Sequence, residues 1–375
     1  MRFLHISDLH LGKMLGHCSL LEDQQYMLFS EIIPLIEEKK ADALLISGDI
    51  FQTANPSMEA LSLYDEFLKE VRKRNVEIIA IAGNHDHRFK IEQHKSFLRF
   101  GGYHVSDCYD DKLDRVVLKD EYGPVNFYLL PYIHPSFVKD KFTLEESNYP
   151  FSKAVEAILA KEEFDFTKRN VILSHQMVTG SVKDYSDSKV YGMKKEESDV
   201  VSISLYDGFD YVALGHIHRH MTMKGGRVVY PGALLPYHVD ETSERYVSFV
   251  ELSEKGRMVQ ELIPVKPKRT ILKLEEEYAS LLTHDPILED YVSITLLGEV
   301  KDPLYFARLQ KIFPLLLSVH RKAEENEKTS EEREYSPQLD EFEVISQFYE
   351  MRMGKKMTAE EEEIVREMML KAGGK

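Results

Sequence analysis

The chain has 375 residues, 43% of them hydrophobic, and a formal net charge of -16. That is enough for two or more domains with proper cores, and too acidic to hold nucleic acid by a general basic surface; such a substrate would need bound cations, a local basic patch or a partner subunit. Cys18 and Cys108 are the only cysteines and form no C-x-x-C pair, which excludes a disulfide framework and a thiolate metal site and leaves nitrogen and oxygen as the ligands of any metal.

The opening MRFLHISDLH places Arg2, His5, Asp8 and His10 where a signal peptide needs an apolar run. No stretch approaches the ~18 apolar residues of a membrane span, so the expected location is the cytoplasm. Short runs rich in Ile, Val and Leu then recur between longer helical patterns: RFLHIS, ALLISG, EIIAIAG, NFYLLPY, NVILSH and YVALGH. This alternation predicts an α/β domain. Leu20 to Lys40 reads as an amphipathic helix with Leu28, Ile32 and Ile36 at four-residue spacing. Ser57 to Asn75 repeats the pattern with Leu61, Tyr64 and Leu68 on one face, while GRVVYPG and RYVSFVEL are expected as antiparallel strands closing a domain over residues 1–265.

KPKRT, with Lys266, Lys268 and Arg269, marks a boundary and reads as a plain linker. Beyond it ILKL, VSITLLG and LLLSVH are expected as strands, with Glu275 to Leu282 and Leu304 to Phe313 as helices, making a small α/β cap over residues 266–320. Residues 321–337 are dense in Glu and Lys and read as a charged linker or a solvated helix extension. The tail, residues 338–375, recovers helical character. Leu339, Phe342, Ile345 and Phe348 share a face, Gly354 can end that helix, and Thr358 with Glu361 makes a capping box for a second carrying Ile364 and Met368. Two short helices after a linker suit partner binding, the alternative being that they pack back on their own domain.

The polar residues concentrate at strand ends. The first run ends in Asp8-Leu9-His10, the second in Gly48-Asp49 and the third, IAGNHDHR, in Asn84-His85-Asp86. NVILS ends in His175, and YVAL ends in Gly215-His216-Ile217-His218. All five ends are carboxyl ends, where open α/β sheets bind ligands. Any one of these pairs alone suits an ordinary turn, but independent loops have no structural reason to agree in both side-chain type and strand end. Asp8, His10, Asp49, Asn84, His175, His216 and His218 together fit two divalent ions with positions left for water. One bridging carboxylate makes two cations at ~3.5 to 4 Å tolerable, and Asp49, behind the small Gly48, is the best bridge. Two dications against two ligand carboxylates leave a centre of about +2, which suits a phosphate anion.

In their order, DLH, GD, GNHD, a lone His and GHIH resemble the motifs of the calcineurin-like metallophosphoesterase family. The resemblance implies a β-sandwich flanked by helices, four layers in all, and a pair of Mn ions at the strand ends, with Mg as a substitute. Asp8, His10, Asp49 and His218 would ligate one ion and Asp49, Asn84, His175 and His216 the other, leaving His85 unligated. MRFLHISDLHLG, the compact cap and the helical tail further resemble the nuclease subunits of bacterial DNA repair complexes. That likeness implies a Mn-dependent DNA nuclease, an exonuclease on duplex ends and an endonuclease on single strands or hairpins. Homodimerisation and contact with an ATPase subunit through the C-terminal helices are implied with it.

The expected chemistry is hydrolysis of a phosphodiester by activated water. His85 would act as the catalytic proton donor to the leaving ribose oxygen or brace the scissile phosphate, the alternative being a supporting structural role. Asp86 would orient His85 or stabilise the loop. His5 is expected in the core, His87 and Arg88 in solvent, and His17, Tyr185, Lys189 and Tyr191 in connections within reach of DNA. A phosphomonoesterase or cyclic-nucleotide phosphodiesterase on the same scaffold is the alternative. A scaffold protein without catalysis would be expected to have lost ligands, and all seven positions carry competent side chains.

Overall fold

The Ile, Val and Leu runs pair into two six-stranded sheets. The structure is a computed structural model. It describes residues 1–86, 95–133, 151–179, 200–241, 244–298 and 300–321, and beyond them Tyr349, Met357, Thr358, Glu362 and Val365. His87, Arg88, Tyr185, Lys189, Tyr191, the charged linker and most of the expected tail helices lie outside the described residues.

In the first sheet β1 (Arg2–Ile6), β4 (Ala43–Ser47), β5 (Glu77–Ile81) and β6 (Tyr103–Ser106) run parallel. On the other side of β1, β15 (Arg245–Leu252) and β16 (Met258–Val265) continue the sheet as antiparallel neighbours. The second sheet has a parallel centre of β8 (Gly123–Leu130), β9 (Arg169–Ser174), β12 (Tyr211–Leu214) and β14 (Val228–Tyr230), edged by antiparallel β7 (Asp114–Asp120) and β13 (Met221–Met223). Two short pairs, β2 (Met14–Leu15) with β3 (Cys18–Ser19) and β10 (Val178–Thr179) with β11 (Val201–Ser202), stand apart. GRVVYPG therefore differs from expectation: β14 is parallel to β12 and antiparallel only to β13, to which a tight turn joins it. RYVSFVEL, as β15, is antiparallel as expected.

Side chains alternate across each strand. Phe3, Leu45, Ile79 and Ile81 meet Phe127, Leu129, Val171, Leu173, Tyr211 and Ala213 between the sheets. Leu4, Ile6, Leu44, Ile46 and Ile78 turn the other way, onto the first helices. Beyond the second sheet, Leu130, Ile172, Val212 and Leu214 pack against Ala154, Val155 and Ile158 of the helix Phe151–Lys161. Four layers result: helix, sheet, sheet, helix. His5 lies wholly buried between the sheets, its Nδ1 2.9 Å from the Tyr211 hydroxyl, in the expected core position.

The helix expected from Leu20 to Lys40 is interrupted. α1 (Leu21–Tyr26) passes through a π-helical segment, Met27–Ile32, into α2 (Ile33–Glu38). Pro34 accounts for the break, because it has no N–H for the preceding turn and its ring crowds the carbonyl behind it. Leu28, Ile32 and Ile36 still face the core. α3 (Met58–Lys73) is capped by the Ser57 hydroxyl, which accepts from Ala60 N at 3.3 Å. Its buried line is Ala60, Leu63, Tyr64, Phe67 and Val71; of the expected Leu61, Tyr64 and Leu68, Tyr64 is buried, Leu68 packs half-buried against the same core, and Leu61 is 40% exposed.

After the KPKRT segment come β17 (Ile271–Glu277), β18 (Tyr291–Leu297) and β19 (Leu316–Arg321), one three-stranded sheet in that order. Glu275 to Leu282 is not a helix throughout, because Glu275, Glu276 and Glu277 pair with Thr295, Leu296 and Leu297, leaving one helical turn, Tyr278–Leu281. The second expected helix is Tyr305–Ile312. Leu281, Val292, Ile294, Leu309, Phe313 and Leu316 form this sheet's own core. By contact density Met1–His320 form one unit and Arg321–Lys375 another. In the second unit Glu362 N donates to Thr358 O at 2.9 Å, a helical turn at the expected capping box. Among the described residues no helix is long and apolar enough to cross a membrane.

Candidate metal centre

β1, β4 and β5 of one sheet and β9 and β12 of the other end on the same rim of the sandwich, and the loops there are locked to one another. Asp8 N donates to Gly48 O at 3.0 Å, His10 N to Asp49 O at 2.9 Å and Leu11 N to Ile50 O at 2.9 Å. Asp8, His10, Asp49 and His216 have φ of 53°, 43°, 51° and 97°. Each is a left-handed conformation that a residue with a Cβ holds at a cost of about 1–3 kcal/mol. Four of the seven candidate ligands thus sit on strained backbone, which the neighbouring hydrogen bonds enforce.

All seven candidate ligands converge. Asp49 Oδ2 lies 3.5 Å from His10 Nε2 and 3.4 Å from His175 Nε2. One carboxylate oxygen thus stands between the two ligand groups, where a bridge belongs. On one side Asp8, His10 and His218 bring a ligand atom each within 4.8 Å of one another, with His10 Nε2 and His218 Nε2 3.1 Å apart. On the other, Asn84 Oδ1 is 3.2 Å from His175 Nε2 and 3.0 Å from His216 Nδ1. His216 N also donates to both oxygens of Asp8, at 3.0 and 3.2 Å. Asp8, His10, Asp49 and His175 form a buried floor, while Asn84 is exposed and His216 and His218 are half-buried at the rim.

Charge on this floor is mutually compensated. Burial works against ionisation of Asp49, but His175, His10 and His85 outweigh it and hold the carboxyl well below the usual range. Burial likewise opposes protonation of His175, yet Asp49 and then Asp8 bring it up to about 9. His10 goes well below its ordinary value and Asp8 above, both chiefly through burial. An ionised carboxylate ringed by imidazole nitrogens, with an amide oxygen at its edge, is a donor set that fits borderline divalent cations.

Supporting groups fix these side chains. His175 Nδ1 donates to Ser47 O at 2.7 Å across the two sheets, which leaves Nε2 as the ligand atom. That bond is built around two glycines. A Cβ on Gly48, whose φ is 91°, would stand 2.2 Å from His175 Nδ1, and one on Gly215 would stand 1.9 Å from Ser47 O. His218 Nδ1 faces Glu241 Oε1 at 3.6 Å, and Glu241 is held by Arg245 at 3.1 Å and by the backbone N–H of Tyr237. Burial works against it, but the Glu241 carboxylate followed by Asp8 raises His218. Sequence reasoning missed Glu241, Arg245 and Tyr237; Arg245 opens β15, so no helical period links it to Glu241.

Beside the floor, His85 N donates to Asp49 Oδ1 at 2.9 Å, and His85 Nδ1 donates to Gln52 O at 2.9 Å. A carbonyl can only accept, so Nδ1 carries the proton and Nε2 is the nitrogen left to take or give one. The ring sits edge-on to His10, 4.8 Å between centroids, and forms a further close group with His10 and Asp49. Asp86 does not reach His85 by any described hydrogen bond. It accepts from Ile50 N, Phe51 N and Gly83 N at 3.1, 2.9 and 2.8 Å, which ties the two loops together. His17 lies away from this floor, 3.4 Å from Gln310 Nε2.

A curated relative, the SbcD component of the SbcCD nuclease of Staphylococcus saprophyticus, is 26% identical over 98% of both chains. A solved archaeal phosphodiesterase matches 70% of this chain and all of its own at 13% identity with a TM-score of 0.32, too loose to bear on the fold. The calcineurin-like phosphoesterase family matches residues 1–220, the stretch that supplies the strand ends bearing the candidate ligands in both sheets. Since that match takes in more than half of the 375 residues and every candidate ligand, the chain belongs to the calcineurin-like phosphoesterase family.

Proposed function

We infer that this phosphoesterase is a Mn-dependent DNA nuclease subunit that acts in DNA repair and recombination with an SbcC-type ATPase. One observation carries the two-metal part of the reading: a single oxygen of Asp49 lies 3.4–3.5 Å from imidazole nitrogens belonging to both ligand groups. Asp8, His10, Asp49 and His218 would hold one Mn ion, and Asp49, Asn84, His175 and His216 the other. Bound there, the ions would acidify water and neutralise charge building on the phosphate.

The chain's own groups do the rest. Asp49, whose carboxyl the surrounding imidazoles hold below the usual range, supplies negative charge to hold two cations in an otherwise open site. The Ser47 carbonyl and Glu241 keep His175 and His218 turned inward. His85 is the catalytic acid of the reading: Nδ1 stays anchored on Gln52, and Nε2 hands a proton to the departing ribose oxygen. With a net charge of -16, the cations are also what draws the phosphodiester to this face.

Support for DNA as substrate comes from the relative's name and from near-complete coverage of both chains. In this reading residues 1–265 are the nuclease domain, 266–320 the cap, 321–337 a linker and 338–375 the helices that meet the ATPase. The working form is a cytoplasmic homodimer with exonuclease activity on duplex ends and endonuclease activity on hairpins or single strands. The test is cleavage of labelled blunt duplex, hairpin and single-stranded DNA with Mn, with and without the ATPase, against phosphate release from a monoester and opening of a cyclic nucleotide. Mn-dependent DNA cleavage is expected. Turnover of the small esters alone would replace this reading with a phosphomonoesterase or cyclic-nucleotide phosphodiesterase.

A further inference from the structure

The loop that carries Asp8 and His10 is held from behind by two buried side chains, Gln24 and Tyr237. Gln24, on α1 and only 3% exposed, donates from Nε2 to Leu9 O at 3.1 Å and to His10 O at 2.8 Å, and its Oε1 accepts from Gly12 N at 3.0 Å. Both donors and the acceptor of the amide are thereby used on one loop. Tyr237 completes the clamp, its hydroxyl 2.9 Å from Asp8 O and 2.6 Å from Leu9 O and its ring against His10 and His218. These bonds satisfy the carbonyls of a stretch whose backbone is left-handed at Asp8 and His10.

The two residues before Gln24 face elsewhere. Arg269 of the KPKRT segment donates to Glu22 Oε2 and to Asp23 Oδ2, both at 2.7 Å, and Lys268 pairs with Glu22. Asp23, 1% exposed, also accepts from the hydroxyl of Tyr291, the first residue of β18, at 2.7 Å. Leu317 of β19 joins the same core as Leu9 and Leu11. Three consecutive residues in one helical turn therefore connect the three-stranded sheet with the loop that bears His10. A helix fixes neighbouring side chains relative to each other, so one contact cannot shift without loading the other.

We propose that Gln24 is a positioning residue for the metal-ligand loop, and that α1 couples the placement of this loop to docking of the three-stranded sheet through Asp23 and Tyr291. The proposal rests on the two-metal reading above. Gln24→Glu keeps size and the acceptor but removes both donors, and Tyr291→Phe removes a single hydroxyl that touches no candidate ligand.

The test titrates the wild-type chain of 375 residues and both variants with Mn by calorimetry, beside urea unfolding and hydrogen exchange of the amides of residues 10–12. Gln24→Glu is expected to weaken one ion roughly 10- to 100-fold and leave the second within about threefold. Tyr291→Phe is expected to weaken the same ion roughly three- to tenfold, with faster exchange at Gly12, and the double variant to fall short of the product of the two. If Gln24→Glu lowered stability while both Mn affinities stayed at wild type, the positioning role would be overturned. Wild-type affinities and Gly12 exchange in Tyr291→Phe would overturn the coupling. A wild-type chain that bound fewer than two Mn ions would instead overturn the two-metal reading, a separate and recognisable result.

Discussion

Gly48→Ala tests how closely the candidate site is built. A Cβ there would stand 2.2 Å from His175 Nδ1 and 2.7 Å from Cγ, well inside the ~3.5 Å at which such atoms first attract. Neither obstacle is a flexible chain end, since His175 is fully buried and bonded to Ser47 O at 2.7 Å. Relief requires the imidazole to move by roughly an ångström, breaking a bond worth about 1 kcal/mol. The left-handed φ of 91° adds about 1–2 kcal/mol of strain once a Cβ is present. Together these destabilise the fold by about 2–3 kcal/mol, with the larger consequence at the site. Displacing a group that orients a ligand lowers metal affinity roughly 10- to 100-fold, and the loss should fall on the ion nearer His175, Asn84 and His216. Urea unfolding and Mn titration of the same preparation measure both quantities. Two Mn ions bound at wild-type affinity, with unchanged stability, would show that Gly48 is not a packing requirement and that the Ser47–His175 bond does not set the ligand's position.

His85→Ala should retain both Mn ions while losing roughly 10²- to 10⁴-fold in phosphodiester cleavage, and wild-type turnover would remove His85 from the chemistry. Asp49→Ala should cost both ions together; metal analysis finding two ions per chain would refute the bridge. Away from the site, Arg169 is buried and spans both oxygens of Asp120 and the carbonyls of Gly123, Leu252 and Ser253, so Arg169→Met should destabilise by about 3–5 kcal/mol in urea unfolding. The Arg169 bonds, ahead of burial, which opposes them, hold Asp120 well below the usual carboxylate range. Its contribution is therefore full above the unfolded value of about 4 and drains as pH falls below it. Asp120→Asn should flatten that acid limb of the stability curve, and an identical limb in the variant would place the acid sensitivity elsewhere.

The strands and the candidate ligands were legible because both signals are local. A run such as ALLIS or NVILS is buried on both faces and announces itself without knowledge of its partners, and a carboxylate or imidazole directly after it must lie at the strand's carboxyl end. Helix faces were less legible. On α3 the apolar residues form a stripe nearly half the circumference wide with Leu61 and Leu63 at its opposite edges, so only the packing of Phe67 and Tyr64 against the first sheet selects Leu63. β17 overran its expected end because pairing with β18 outweighs the helical preference of three consecutive glutamates.

What no local pattern could supply is the choice of sheet. β1, β4 and β5 went to one sheet and β9 and β12 to the other, and this division lets His175 reach Ser47, 128 residues away, and sets Asp49 between imidazoles from both. Gln24, Tyr237 and Glu241 stayed hidden for the same reason: none is placed by its neighbours in sequence, and each acts on a loop that only the folded chain brings to it. Residue type and spacing decided which atoms were available to hold cations. Tertiary packing alone decided how they converge, because left-handed backbone at Asp8, His10, Asp49 and His216 persists only where surrounding hydrogen bonds repay its strain.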